Sequence, residues 1–223
     1  MLEIKNIVKS YKRGNKTFNA VDDISLSIDK GDFIHIIGRS GSGKSTLLNI
    51  VAGLLSPDSG EVILEKENYI YFDDEKKSRF RNKRIGFIPQ SPALLSYFNV
   101  LENIVLPYYL YEDETDIYGK ARYILNKLGI EHLAESYPSE LSGGETRKCI
   151  IARALINDPE IIIADEPTSD LDIESTNEVL ELLSKINEMG TTLLVVTHEL
   201  DTLKYGKKVY TMEGGKLREG KYI

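Results

Sequence analysis

Nine residues, GRSGSGKST from Gly38 to Thr46, constrain the fold of this chain more than any other stretch. They contain G-x-x-x-x-G-K-[ST] through Gly38, Gly43, Lys44 and Ser45, with the apolar run FIHII just before and TLLNIVAGLL at its end. Glycines let the backbone curl until several N–H groups point at one anion, and the start of a helix adds a partial positive charge. Such a loop needs a buried strand to leave and a helix to enter, so an α/β layer with a mostly parallel sheet is expected. The loop residues Gly38, Arg39, Ser40, Gly41, Ser42, Gly43, Lys44, Ser45 and Thr46 are then expected to wrap the phosphates of a nucleotide such as ATP. Lys44 would reach the β- and γ-phosphates, and the Ser45 hydroxyl would ligate Mg²⁺.

A second apolar run, Ile161 to Ala164, is followed at once by Asp165 and Glu166, with Asp170 and Asp172 close behind. A buried strand tolerates that much negative charge at its end only if something positive meets it. Beside a phosphate loop the positive partner is a magnesium ion, held at Asp165 directly or through water. Glu166 is then placed to accept a proton from the attacking water or to orient it.

The rest of the chain alternates accordingly. Leu2, Ile4, Ile24, Leu26 and Ile28 read as antiparallel strands with one wet face. Leu47, Leu48, Val51 and Leu55 share one side of a helix, and residues 66 to 84 read as polar and irregular. Helical signals dominate from 91 to 137: Ala121, Ile124, Leu125 and Leu128 fall at i, i+3, i+4, i+7 before Gly129. Val179, Leu182, Leu183 and Ile186 form a further helical face closed by Gly190. Arg79, Arg81, Lys83 and Arg84, just after Asp73, Asp74 and Glu75, read as a solvated surface of mixed charge. The 223 residues suit one domain, with a core at about 1–90 and 138–223 and a helical subdomain at about 91–137.

LSGGETRKCIIARAL opens with a capping box, Ser142 with Glu145 three positions on, before the apolar face Ile150, Ile151, Ala154 and Leu155. Gly143 and Gly144 leave the first turn bare, so a large anion can approach its N–H groups; a well-capped structural helix is the other reading.

The phosphate loop, LSGGE and IIIADEPTSDLD, in this order, resemble the ATP-binding cassette of ABC transporters over essentially the whole chain. The resemblance implies a P-loop NTPase fold: an α/β nucleotide-binding domain with an antiparallel β subdomain and an inserted helical subdomain. It also implies a head-to-tail homodimer, in which Ser142, Gly143, Gly144 and Glu145 of one subunit close over ATP held by the other. By the same resemblance Gln90 senses Mg²⁺ and the attacking water, His198 contacts the γ-phosphate, Ser169 to Asp172 cross the dimer interface, and Tyr11 stacks on adenine. His35 and His132 read as structural, and Cys149 as a small, partly buried filler. Tyr108, Tyr109 and Tyr111 are either core or a contact for a membrane partner.

Two positions depart from the family pattern, Glu145 where Gln is commoner and Glu199 where Asp is. AVDDISLSIDKGDF and RIGFIPQSPALLSYFNVLENIVLP resemble the macrolide-exporter, lipoprotein-release and antimicrobial-peptide efflux branch, although SDLD stands where its members commonly read GNLD. A separate permease is implied as partner, with MgATP hydrolysis driving export or extraction of a peptide, lipid or drug. The alternative is a cassette ATPase on a non-transport partner, either a cell-division-type permease-like protein or a soluble iron–sulfur assembly scaffold.

A net charge of −7 without a basic footprint speaks against nucleic acid. One cysteine precludes an internal disulfide and suits a reducing compartment. MLEIKNIVKS lacks an apolar signal core, and no apolar run approaches the ~20 residues that span a bilayer. The expected place is therefore cytoplasmic, peripheral to the membrane through the permease, with no direct insertion.

Overall fold

The computed structural model describes residues 1–111 and 116–220. Two long strands come first, β1 (Leu2–Arg13) and β2 (Lys16–Ile28), antiparallel from Leu2↔Ile28 to Arg13↔Lys16. Gly14, in the left-handed region at φ 62°, makes the two-residue turn between them. Leu2, Ile4, Ile7, Val21, Ile24, Leu26 and Ile28 are buried: the alternation holds for Leu2 and Ile4 and for Ile24 to Ile28, and register shifts at Ile4/Ile7 and Ile7/Lys9 keep Ile7 and Val21 inside.

β3 (Phe33–Ile37) is buried at all five residues and leads into α1 (Lys44–Val51). Leu55 lies beyond the end of that helix and is only half-buried, which corrects its expected place on the helix face. β4 (Ser59–Leu64) returns to pair with β1, and β5 (Glu67–Asn68) completes a four-stranded antiparallel sheet ordered β2-β1-β4-β5.

The stretch read as irregular contains an 11-residue helix, α2 (Asp74–Arg84). The Asp73 carboxylate accepts the Lys76 N–H at its start. Acids in the first turn and bases in the last complement the helix dipole. Its one buried residue is Phe80, stacked on Tyr69 at 4.8 Å, so no periodic apolar face announced it. The basic cluster is also not wholly solvated. Arg79 pairs with Glu75 at 3.4 Å on the surface, but Arg81 donates to the Gly53 carbonyl at 3.1 Å, and Arg84 pairs with Glu67 and Glu160.

After β6 (Ile85–Ile88) come α3 (Val100–Tyr109) and α4 (Ile117–Lys127), both packed on α5 (Gly143–Leu155). Residues 112–115, within the span expected to be helical, lie outside the described residues. β7 (Ile161–Asp165), α6 (Ile173–Glu188) and β8 (Thr192–Thr197) follow, then the hairpin of β9 (Lys208–Glu213) and β10 (Lys216–Glu219).

The six-stranded sheet runs β10-β9-β3-β8-β7-β6, parallel from β9 to β6. Successive side chains of its central strands feed two cores. Ile34, Ile36, Ile161, Ile163, Leu194 and Val196 join α1 and the antiparallel sheet, while Phe33, Ile162, Ala164, Leu193 and Val195 join α3 to α6. The expected α/β architecture with an antiparallel sheet is therefore present. Because β3, β6, β7 and β8 point the same way, their carboxyl ends share one edge, where α/β sheets bind ligands.

Cys149 is fully buried rather than partly so, and burial pushes its thiol up to about 12. His35, in β3, is also fully buried, stacks on Phe33 at 4.8 Å and, among the described residues, has no hydrogen-bond partner for either ring nitrogen. Burial pushes it down to about 4, so at neutral pH it is an uncharged packing group. His132 is exposed in the turn Glu131–Leu133.

Candidate functional site

The loop from Gly38 to Gly43 is held from both sides. A Cβ on Gly43, at φ 108°, would stand 1.9 Å from the Ala20 carbonyl oxygen, and one on Gly38 would stand 2.3 Å from that of Met212. Neither position admits a side chain, because β2 and β9 press the loop between them. Lys44 is 5% exposed and donates from Nζ to the carbonyls of Gly38 (2.8 Å) and Arg39 (3.2 Å). Those neutral acceptors are weak rivals to a phosphate, so the ammonium is held where an anion in the loop can take it over.

Tyr11, Arg39, Ser40, Gly41, Gly43, Lys44, Ser45, Thr46, Gln90, Glu166 and His198 line one cleft of about 830 Å³. Gly38 and Ser42 line an adjoining cavity with Arg39, Ser40, Gly41 and His198. Four strand ends deliver the cleft's chemistry: β3 the loop, β6 Gln90, β7 Asp165 and Glu166, and β8 His198.

Asp165 is buried beneath the cleft, and among the described residues its Oδ1 has no hydrogen-bond partner. Burial raises its carboxyl pKa above the ordinary value. A hydrogen bond from Ser45 and the charge of Lys44 oppose that rise, while Glu166 adds to it. A buried, half-satisfied carboxylate beside a hydroxyl is the donor set that a hard cation would complete. The residues therefore fit a magnesium–phosphate group.

Glu166 sits in the left-handed region at φ 48°, where a non-glycine residue needs support, and its N–H donates to the Val196 carbonyl at 2.8 Å. That turn aims its carboxylate into the cleft. Oε2 accepts from Gln90 Nε2 at 3.2 Å and faces His198 Nδ1 at 3.2 Å. Glu199 reaches the Thr168 hydroxyl, which donates to it at 2.6 Å, so the departure from Asp is used to tie the His198 turn to the acidic loop.

Tyr11 pairs across the hairpin with Phe18, their ring centroids 6.1 Å apart, and Arg13 lies in the same cleft. Neither Phe18 nor Arg13 stands out as a site residue in the sequence. The signal was available in Gly14-Asn15, because a two-residue turn there places Phe18 opposite Tyr11.

Ser142, Gly143, Gly144 and Glu145 lie outside this cleft. The capping box is formed. The Ser142 N–H and hydroxyl both donate to Glu145 Oε2 at 2.8 Å, and the Glu145 N–H donates to Ser142 Oγ at 3.3 Å. Gly143 is exposed, but Gly144 is buried, and a Cβ there would meet the Ser175 hydroxyl at 2.8 Å. The bareness of Gly144 thus serves the seat of α5 against α6, while Gly143 is exposed although a Cβ there would stand 3.3 Å from Leu171 Cδ2. Asp172 caps α6 at the Ser175 N–H (2.9 Å), and Asp170 stands at φ 64°.

Residues 21–169 match the ABC transporter family, and the motifs stand in the geometry just described. The chain belongs to the ABC transporter family. LolD, the ATP-binding protein of a lipoprotein-releasing system in Blochmanniella floridana, is 44% identical over 215 residues, 96% of this chain and 92% of that protein. A dimeric structure of the cassette MJ0796 in a post-hydrolysis state with ADP and Pi superposes with TM-score 0.90 at 36% identity, covering 99% of this chain and 98% of that one. The ADP conformation of the cassette MJ1267 gives 0.86 at 31% identity, covering 100% and 91%. The cassette is thus the ATP-binding and ATP-hydrolysing subunit of a transporter, similar to the lipoprotein-release branch. Among the described residues no helix is long and apolar enough to cross a membrane.

Proposed function

We propose that two copies of the cassette associate head to tail, each P-loop closed by the partner's signature helix, and that the pair drives a separate permease. The observation that carries this reading is the separation within one chain. The cleft holds Lys44, Gln90, Glu166 and His198, while Ser142 to Glu145 lie outside it, so one protomer has two half-sites.

In this reading ATP lies in the cleft with its adenine against Tyr11 and Phe18 and its phosphates in the loop from Gly38 to Thr46. Ser45, Asp165 and Gln90 would hold Mg²⁺, which would supply charge neutralisation for the bound phosphates. Glu166, oriented by Gln90 and His198, takes the proton of the water whose oxygen bonds the γ-phosphorus as the bond to the ADP oxygen breaks. In the same reading α3 and α4 belong to a helical subdomain, at about 91–137, against which the permease bears. The likeness to a lipoprotein-releasing protein supports extraction of a lipid-bearing cargo as the work done, with the cassette peripheral at the cytoplasmic face.

Replacing Glu166 removes the proton acceptor while leaving the binding groups in place. Glu166→Gln is expected to bind ATP, hydrolyse it about a hundredfold more slowly or worse, and elute as a dimer with MgATP. A monomer at saturating ATP would overturn the shared-site reading. Capture of that dimer from solubilised membranes should bring down a permease; a soluble scaffold alone would overturn the transport assignment.

A further inference from the structure

Arg147 lies on α5 just past Ser142 to Glu145. It is 3% exposed, and no carboxylate stands within ion-pair distance of it among the described residues. Its guanidinium donates to two successive carbonyls, Nη1 to Pro89 at 2.8 Å and Nη2 to Gln90 at 3.1 Å. A planar fork on consecutive carbonyls fixes the peptide between them in position and orientation. Gln90 is the residue whose side chain holds the Glu166 carboxylate at 3.2 Å. Arg153, farther along α5, donates to the Ala93 carbonyl at 2.6 Å, so the same helix grips this segment twice. Asp170 attracts the Arg147 charge, and Leu171 and Ser175 pack on Gly143 and Gly144, so the acidic loop also backs the start of α5.

Burying an unpaired guanidinium costs free energy that a hydrophobic filler in the same place would not. A pin between a helix and a loop does not need one. What the fork adds is a rigid link from the start of α5 to the backbone of Gln90. We propose that Arg147 is a positioning residue for hydrolysis. It carries the placement of the signature helix, set by the partner subunit's ATP, to Gln90 and so to Glu166 in its own site. This rests on the shared-site reading above.

The test is a double-mutant cycle on the full chain, with steady-state ATPase rates and melting temperatures for Arg147→Met, Gln90→Ala and the pair. Arg147→Met should lower kcat about tenfold with KM within about twofold, and in the Gln90→Ala background it should cost less than about twofold. Arg147→Lys, which reaches one carbonyl at a time, should recover part of the rate and carries the same comparison if the Met variant does not fold. An equal loss in both backgrounds, or a lower melting temperature with unchanged kcat, would make Arg147 a packing residue and overturn the inference. Ser142→Arg separates the two levels. Unchanged turnover there overturns the shared-site reading and this inference with it. Blocked turnover there, with additive Arg147 losses, overturns this inference alone.

Discussion

Asp165 and Glu166 are adjacent acids with different surroundings. Asp165 is buried with one oxygen unsatisfied, while Glu166 has its carboxylate oxygen met by an amide and an imidazole. The first environment suits a cation ligand, the second a proton acceptor whose direction matters. Lys44 completes the set, its charge acting on the Asp165 carboxyl. Lys44→Ala should abolish detectable ATP binding while leaving the circular dichroism spectrum intact, and unchanged turnover would refute the loop's role. His35 makes a different kind of prediction. Burial lowers its folded-state pKa to about 4 from about 6.5, so between those values the unfolded chain binds a proton that the folded chain refuses. Its contribution to stability should therefore be full above pH about 6.5 and fall by about 3 kcal/mol as pH drops to about 4. Denaturant titrations across that range should show a shallower slope for His35→Leu than for the parent chain. Equal slopes would mean that His35 is protonated in place.

α2 and α5 illustrate two ways of making a helix. α5 combines a capping box with a buried face, and both are visible in LSGGETRKCIIARAL. α2 has a single buried side chain, and its order comes from the Asp73 cap, the charge gradient and three arginines that bind neighbouring groups. Two of those arginines reach Gly53, Glu67 and Glu160, none of them close in sequence. The cap of α5 bears on function as well as stability. Hydrogen bonds from Ser142 hold the Glu145 carboxyl pKa below its ordinary range, so it stays charged where the partner's γ-phosphate would approach. Glu145→Gln should keep the backbone cap and, in the Glu166→Gln background, tighten the MgATP dimer by about threefold or more. A dimer that is unchanged or weaker would show that Glu145 does not face the phosphate.

Two sheets, one antiparallel and one mostly parallel, enclose α1 and set the phosphate loop at the common carboxyl edge of β3, β6, β7 and β8. Each protomer carries −7 before nucleotide is added, so closing two of them over two ATP molecules brings like charges together. The Glu166→Gln dimer with MgATP should therefore tighten as salt rises from about 20 to about 150 mM, over which the screening length falls to about 8 Å. Weaker association over that range would mean that local ion pairs across the interface outweigh the net repulsion. The glycine curl, the capping box, the alternation of β1 and β2 and the acidic strand end were all legible, because each is an interaction between neighbours or within one turn. Strand order was not, and strand order decides which residues meet. It brings Gln90 to Glu166 across 76 positions, Arg147 to Pro89 across 58 and Thr168 to Glu199 across 31. It also sets the Ala20 and Met212 carbonyls against Gly43 and Gly38. The sequence by itself determined the chemistry available, through residue types at short spacings. Only the tertiary structure decided which of those groups act together, because long-range contacts form from cooperative packing of whole elements and leave no local signature.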